Sequence, residues 1–184
     1  MMRLLLATLA LVVVAPHLTA AQGDTCCCRT RAFPHNKRWY QMVDCPMTWR
    51  DAHNWCRKNM RDASNHVMDG YLIWFENLDE ADWFLFYLNG HYGRDPFYIW
   101  TGLRYKSRPP FTQKCTGHDV WHYLGNPNNP IYRNWGNNRP NCHWSKFGEN
   151  CAVIYNKYKW EDVECSYRFK FACKAKGRKK YSSG

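Results

Sequence analysis

The stretch NNRPNCHWSKFGENC, residues 137–151, gathers side chains able to hold a hard divalent cation: Asn141, Glu149 and Asn150 all carry oxygen donors. Arg139 stands among them with the opposite character, a fixed cation with no acceptor. A second candidate is HDVWH, where His118 and His122 have the i, i+4 spacing of a helical zinc pair. No Glu follows His118 as a zinc hydrolase requires, and the surrounding sequence has no helical period, so no zinc site is assigned. The serines show no nucleophile elbow and the cysteines are read as bridged. No catalytic residue is assigned, and the chain is read as a binding protein rather than an enzyme.

These side chains need a scaffold, and the chain's opening says where that scaffold is built. MMRLLLATLALVVVAPHLTAAQ has one early Arg3, a short apolar run and small residues before Gln22, the pattern of a secretory signal peptide over residues 1–21. The run is shorter than the roughly 20 residues a spanning helix needs. The expected product is a secreted, extracellular protein without a transmembrane segment. All ten cysteines lie beyond residue 21, an even number that reads as disulfides in an oxidising compartment. The formal net charge is +11, which favours sulfated or otherwise anionic polysaccharide as a partner or serves solubility alone. Nucleic acid is not expected, since no reader motif is present. No Asn-x-Ser/Thr acceptor occurs, so N-glycosylation is not expected either.

Four segments follow. Residues 22–38 form a cysteine-rich arm, too polar to be a strand, and residues 39–174 one domain. Thr48, with Asp51 three residues on, resembles a capping box and starts a helix over 49–60, apolar at Trp49, Ala52, Cys56 and Met60. Asn77 and Glu80 start a second helix, with Asn89 and Gly90 as its stop. PFYIWTGL, CAVIY, YKW and FKFACK read as strands. Residues 104–150 are rich in Asn, Pro and Gly and read as one long irregular loop, a length that implies a functional loop tied down by bridges or ions. Helices first and strands last give an α+β fold. Residues 175–184 read as a basic tail. The cations of this end, Lys174, Lys176, Arg178, Lys179 and Lys180, are either solvated or placed to grip sulfate or phosphate.

TWRDAHNWC, WTGL at residues 100–103, GENC with WEDVEC, and the final FACK occur in the order and spacing of one family. Over residues 39–174 the chain resembles the C-type lectin-like domain, with two helices packed on antiparallel sheets and a long irregular loop. The resemblance implies the bridges Cys56–Cys173 and Cys151–Cys165, worth about 4–5 and about 3 kcal/mol by loop closure. Long-form members carry a cysteine where Trp39 stands here, and Cys45 is additional. Cys45 is read as pairing with one of Cys26, Cys27 and Cys28, and Cys115 with Cys142. Two cysteines of the triplet then remain for an interchain bridge. A disulfide-linked homo-oligomer is expected on non-reducing electrophoresis; a monomer with no free thiol would refute it.

The resemblance also carries a ligand set. Sugar-binding members hold one calcium through side-chain oxygens at places that fall here on Arg139, Asn141, Glu149, Glu161 and Asp162. Asn141, Glu149, Glu161 and Asp162 supply four donors for calcium, but Arg139 replaces an acceptor with a cation. At about 4 Å and an effective dielectric of about 20, it would repel the ion by roughly 8 kcal/mol. Three outcomes stand at this point: Arg139 replaces the ion and bonds Glu149 or Glu161, calcium binds weakly to the four donors, or the loop is inactive. Tyr132, Trp135 and Trp144 either stack on sugar or pack the loop's own core. Two functions follow. One is a glycan-binding lectin acting through the long loop; the other is a matrix or mineral-associated protein that binds polyanions through its basic surface without calcium.

Overall fold

The computed structural model describes residues 32–93, 97–105, 121–124, 132–142, 149–155 and 159–177, with the side chains of Glu149 and Asn150 outside that description. Ten elements follow in chain order: β1 (Phe33–His35), β2 (Arg38–Met47), α1 (Trp49–Asn59), β3 (Gly70–Leu72), α2 (Leu78–Tyr92), β4 (Tyr98–Tyr105), β5 (Trp121–Tyr123), β6 (Glu149–Tyr155), β7 (Lys159–Glu164) and β8 (Phe169–Lys176). Both helices begin on the caps the sequence predicts. The Thr48 hydroxyl accepts from Asp51 N at 3.3 Å and donates to its carboxylate at 2.7 Å. Asn77 Oδ1 accepts from Glu80 N at 2.9 Å, while Glu80 Oε2 reaches back to Glu76 N at 2.7 Å. The stop of α2 differs from the expectation. The helix runs past Asn89 and Gly90 and ends at Gly93, whose φ of +62° suits a residue without Cβ and whose N–H caps Asn89 O at 2.8 Å.

The strands form one sheet in the order β1-β2-β8-β4-β6-β7, with β3 added beside β8 and β5 beside β4. Pairing is antiparallel except between β4 and β8, where Ile99 and Trp100 run parallel to Lys170 and Phe171. The α+β fold of two helices on antiparallel sheets is present, with this one parallel pair making the sheet mixed. Both faces are covered. Phe171, Cys173 and Ala175 of β8 join the core beneath α1, with Trp49, Cys56, Trp100 and Val153. Ala172 lies on the other face beneath α2, with Tyr40, Phe84, Ile154 and Trp160. A strand buried on both faces reads as a continuous apolar run, which is why FACKA gives no sign of its alternation.

Three readings of the chain ends and loop are revised. The last part of the arm is a hairpin: Phe33, Pro34 and His35 pair with Tyr40, Trp39 and Arg38. The long irregular segment carries β5 inside it and is bounded by longer β4 and β6. The basic tail does not begin at residue 175, because β8 continues to Lys176; Arg178, Lys179 and Lys180 lie outside the described residues. Lys174 is no tail residue at all. Its side chain is fully buried, its Nζ is ion-paired to Glu80, donates to Trp74 O at 3.1 Å and sits 3.4 Å from the centre of the Trp74 ring. Burial pushes its pKa down to about 8 against the opposing pull of Glu80.

Cys56 and Cys173 are bridged over a separation of 117 residues, tying α1 to β8, and Cys151 and Cys165 bridge the β6–β7 hairpin to the turn after it. Cys45 and Cys142 are each half of a disulfide. The readings of their partners, Cys26, Cys27, Cys28 and Cys115, fall outside the described residues.

The WTGL segment is the junction of these parts. Trp100 Nε1 donates to Met47 O at 2.8 Å, Thr101 Oγ1 to Ala152 O at 2.9 Å, and Gly102 N to Ile73 O at 2.8 Å. A Cβ on Gly102 would lie 2.9 Å from Leu72 O, a backbone atom that cannot rotate away. Gly102→Ala is expected to cost about 1–3 kcal/mol of stability in urea unfolding. An unchanged midpoint would show that residues 72–73 yield to the methyl group.

Candidate long-loop site

The site is built on β7, at the end of the sheet order, whose outer edge pairs with no other strand among the described residues. An unpaired edge leaves backbone groups to satisfy, and the long loop satisfies them. Trp160 N donates to Asn134 O at 2.8 Å and Gly136 N to Trp160 O at 2.9 Å, a short parallel bridge that lays residues 134–136 along β7. Lys159 Nζ adds a bond to Asn134 Oδ1 at 2.8 Å. The chain then turns, with Arg139 N donating to Gly136 O at 3.1 Å and Asn138 at φ +58°, and the Arg139–Pro140 peptide is cis.

This turn returns the loop over two adjacent carboxylates. Asp162 is fully buried and accepts from the backbone N–H of Asn141 at 3.1 Å and of Cys142 at 2.6 Å. Its Oδ1 also lies 3.4 Å from Arg139 Nη1, while Arg139 Nη2 donates to Glu161 Oε1. The guanidinium therefore spans both carboxylates, each partner of the outer pair about one-quarter exposed. A carboxylate this deep needs charged or N–H partners on every side, and Asp162 has them.

The structure thus brings together Arg139, Glu161, Asp162 and Asn141, the last through its backbone N–H. Glu149 lies in β6, opposite Glu164, and its side chain falls outside the described residues. Sequence reasoning missed Asn134, Lys159 and the two backbone N–H donors, for which residue types carry no signal. Trp135 packs edge-on between Trp121 and Trp160, and Tyr132 edge-on to Phe75 and Trp160. These two rings anchor the loop to the core, while Trp144 falls outside the described residues. His122 lies in β5 opposite Arg104, so the helical zinc spacing has no helix to act through; His118 is not described.

The sequence pattern of the Lectin C-type domain matches residues 45–175. The chain belongs to this family. Among C-type lectins similar to it are TsL of Trimeresurus stejnegeri, 27% identical over 95% of this chain and 98% of that one. A mannose-binding isoform from Notechis scutatus scutatus is 30% identical, again over 95% and 98%. In structure this C-type lectin domain resembles human lithostathine, with a TM-score of 0.59 and 23% identity over 81% of this chain and 90% of that one. The Arg139 cluster lies where the long loop meets β7, with Arg139 and Asn141 from the loop and Glu161 and Asp162 from the strand.

Proposed function

We propose that this C-type lectin domain binds glycans through the long-loop region, with Arg139 standing in the place of calcium. The observation that carries the reading is the guanidinium spanning Glu161 and Asp162. Calcium does not fit this donor set: Asp162 already accepts two backbone N–H groups, and a cation occupies the space between the carboxylates. Among the described residues no three His, Cys, Asp or Glu side chains are grouped to hold a metal. An arginine held by two carboxylates orders the loop as a bound ion would. Support for glycan as the ligand class comes from the mannose-binding name of the Notechis relative. Secretion is part of the same reading, supported by the leader-like residues 1–21 and by the lack, among the described residues, of any helix long and apolar enough to cross a membrane.

The test measures glycan-array binding and thermal unfolding of the wild type in millimolar calcium and in chelator. Equal binding and an unchanged Tm are expected, because a ligand bound only to the native state would raise Tm by mass action. Binding lost in chelator, or a Tm raised by calcium, would refute the arginine-held site. Binding to no glycan on the array would refute the glycan reading.

A further inference from the structure

A second polar groove lies on α1, and it shares no residue with the long-loop site. Asp51, Asn54, Trp55 and Lys58 fall at i, i+3, i+4 and i+7 and form one wall; Met47 and Arg168, from the end of β2 and the turn before β8, close it to a volume of about 400 Å³. The half-buried Trp55 packs edge-on to Phe171, 5.5 Å between ring centres. Lys58 and Arg168 are exposed and form no ion pair with a carboxylate among the described residues. Asp51 is already engaged by the Thr48 hydroxyl. Two cations and one carboxylate thus line the groove, a surplus of one positive charge, on a chain whose formal net charge is +11.

The surface continues beyond Arg168 as aromatic rings. Tyr167 is 51% exposed and sits edge-on to Phe169, and Tyr98 is 42% exposed and stacked on Phe169 at 5.2 Å. Indole and phenol rings beside an amide, a carboxylate and two cations suit a polar ligand with ring faces and negative substituents. We infer that this groove is a calcium-independent binding site for a sulfated oligosaccharide. Sulfate groups meet Lys58 and Arg168, and pyranose rings lie along Trp55 and Tyr167. The inference goes beyond the long-loop reading and does not depend on it.

The full secreted chain is assayed by calorimetry in chelator against a heparin hexasaccharide, its desulfated form and inorganic polyphosphate of matched charge. Lys58→Glu/Arg168→Glu is compared with Lys37→Glu/Arg50→Glu, an equal charge change on exposed residues outside the groove. The groove variant is expected to lose affinity about ten-fold or more, and the control less than about three-fold, since charge-assisted bonds outweigh a screened general field. The desulfated sugar and polyphosphate are each expected to bind more weakly than the sulfated sugar. Equal losses in the two variants would overturn the site. Polyphosphate binding as tightly as the sulfated sugar would reduce it to a charge patch and overturn the saccharide assignment.

Discussion

Lys174→Met is expected to destabilise the domain by about 3 kcal/mol or more, because breaking a buried ion pair strands its partner. The stranded partner is Glu80, 8% exposed, which keeps only the Tyr40 hydroxyl at 2.5 Å and Glu76 N at 2.7 Å. The double variant Lys174→Met/Glu80→Gln removes both charges while retaining a side chain able to accept from Glu76 N. It should recover most of the loss, leaving a coupling of at least about 1.5 kcal/mol in a double-mutant cycle by urea unfolding. Additive losses would show that the pair does not act as a unit. The pH dependence gives an independent reading. Lys174 titrates near 8 in the fold, pushed down by burial, and near its ordinary, higher value when unfolded. Between the two the unfolded chain binds more protons, so stability rises with pH through this interval. Above about pH 10 the order reverses, since burial raises the pKa of Tyr40, Tyr92 and Tyr123 and the unfolded chain loses those protons first. The Lys174→Met variant should lack the rise and keep the fall.

Arg139→Glu is the second large effect, and its sign depends on calcium. In chelator the variant loses bonds to two carboxylates and places a third beside Glu161 and Asp162, with an expected cost of about 2–4 kcal/mol. Millimolar calcium should restore much of that loss, because the new carboxylate joins Glu161 and Asp162 at the vacated guanidinium position, and the family resemblance adds Asn141 and Glu149 to the donor set. Arg139→Gln removes the cation without adding charge and should fall between wild type and the glutamate variant in chelator. The measurement is thermal and chemical unfolding of the three proteins with and without calcium. A glutamate variant as stable as wild type in chelator would mean that Arg139 contributes nothing to the loop. A variant destabilised but indifferent to calcium would mean that Asp162, held by Asn141 N and Cys142 N, is unable to turn toward an ion.

Local chemistry was legible in the sequence and long-range choice was not. Both helix starts followed from Thr48 and Asn77, because a cap is settled by residues three positions apart. The bridges Cys56–Cys173 and Cys151–Cys165 followed from family resemblance and are present. The end of α2 at Gly93 did not follow, since Asn89 and Gly90 tolerate helix when Tyr92 is held to Asp44 by its hydroxyl at 2.6 Å. Nor did the β1–β2 hairpin, β3 or the parallel β4–β8 pairing, each decided by which strand edge is free once the sheet has assembled. Residue type predicts an exposed Lys174, solvated or gripping sulfate or phosphate, and only the partner supplied from α2, 94 positions earlier, makes its burial tolerable. For the long loop, the sequence alone showed that a cation had entered a set of oxygen donors. It left open whether Arg139 turned to Glu149, to Glu161 or away. The tertiary structure decided that by laying residues 134–136 on the edge of β7, which brings Arg139 over Glu161 and Asp162, since the pairing of a loop with a strand edge is a property of the assembled sheet.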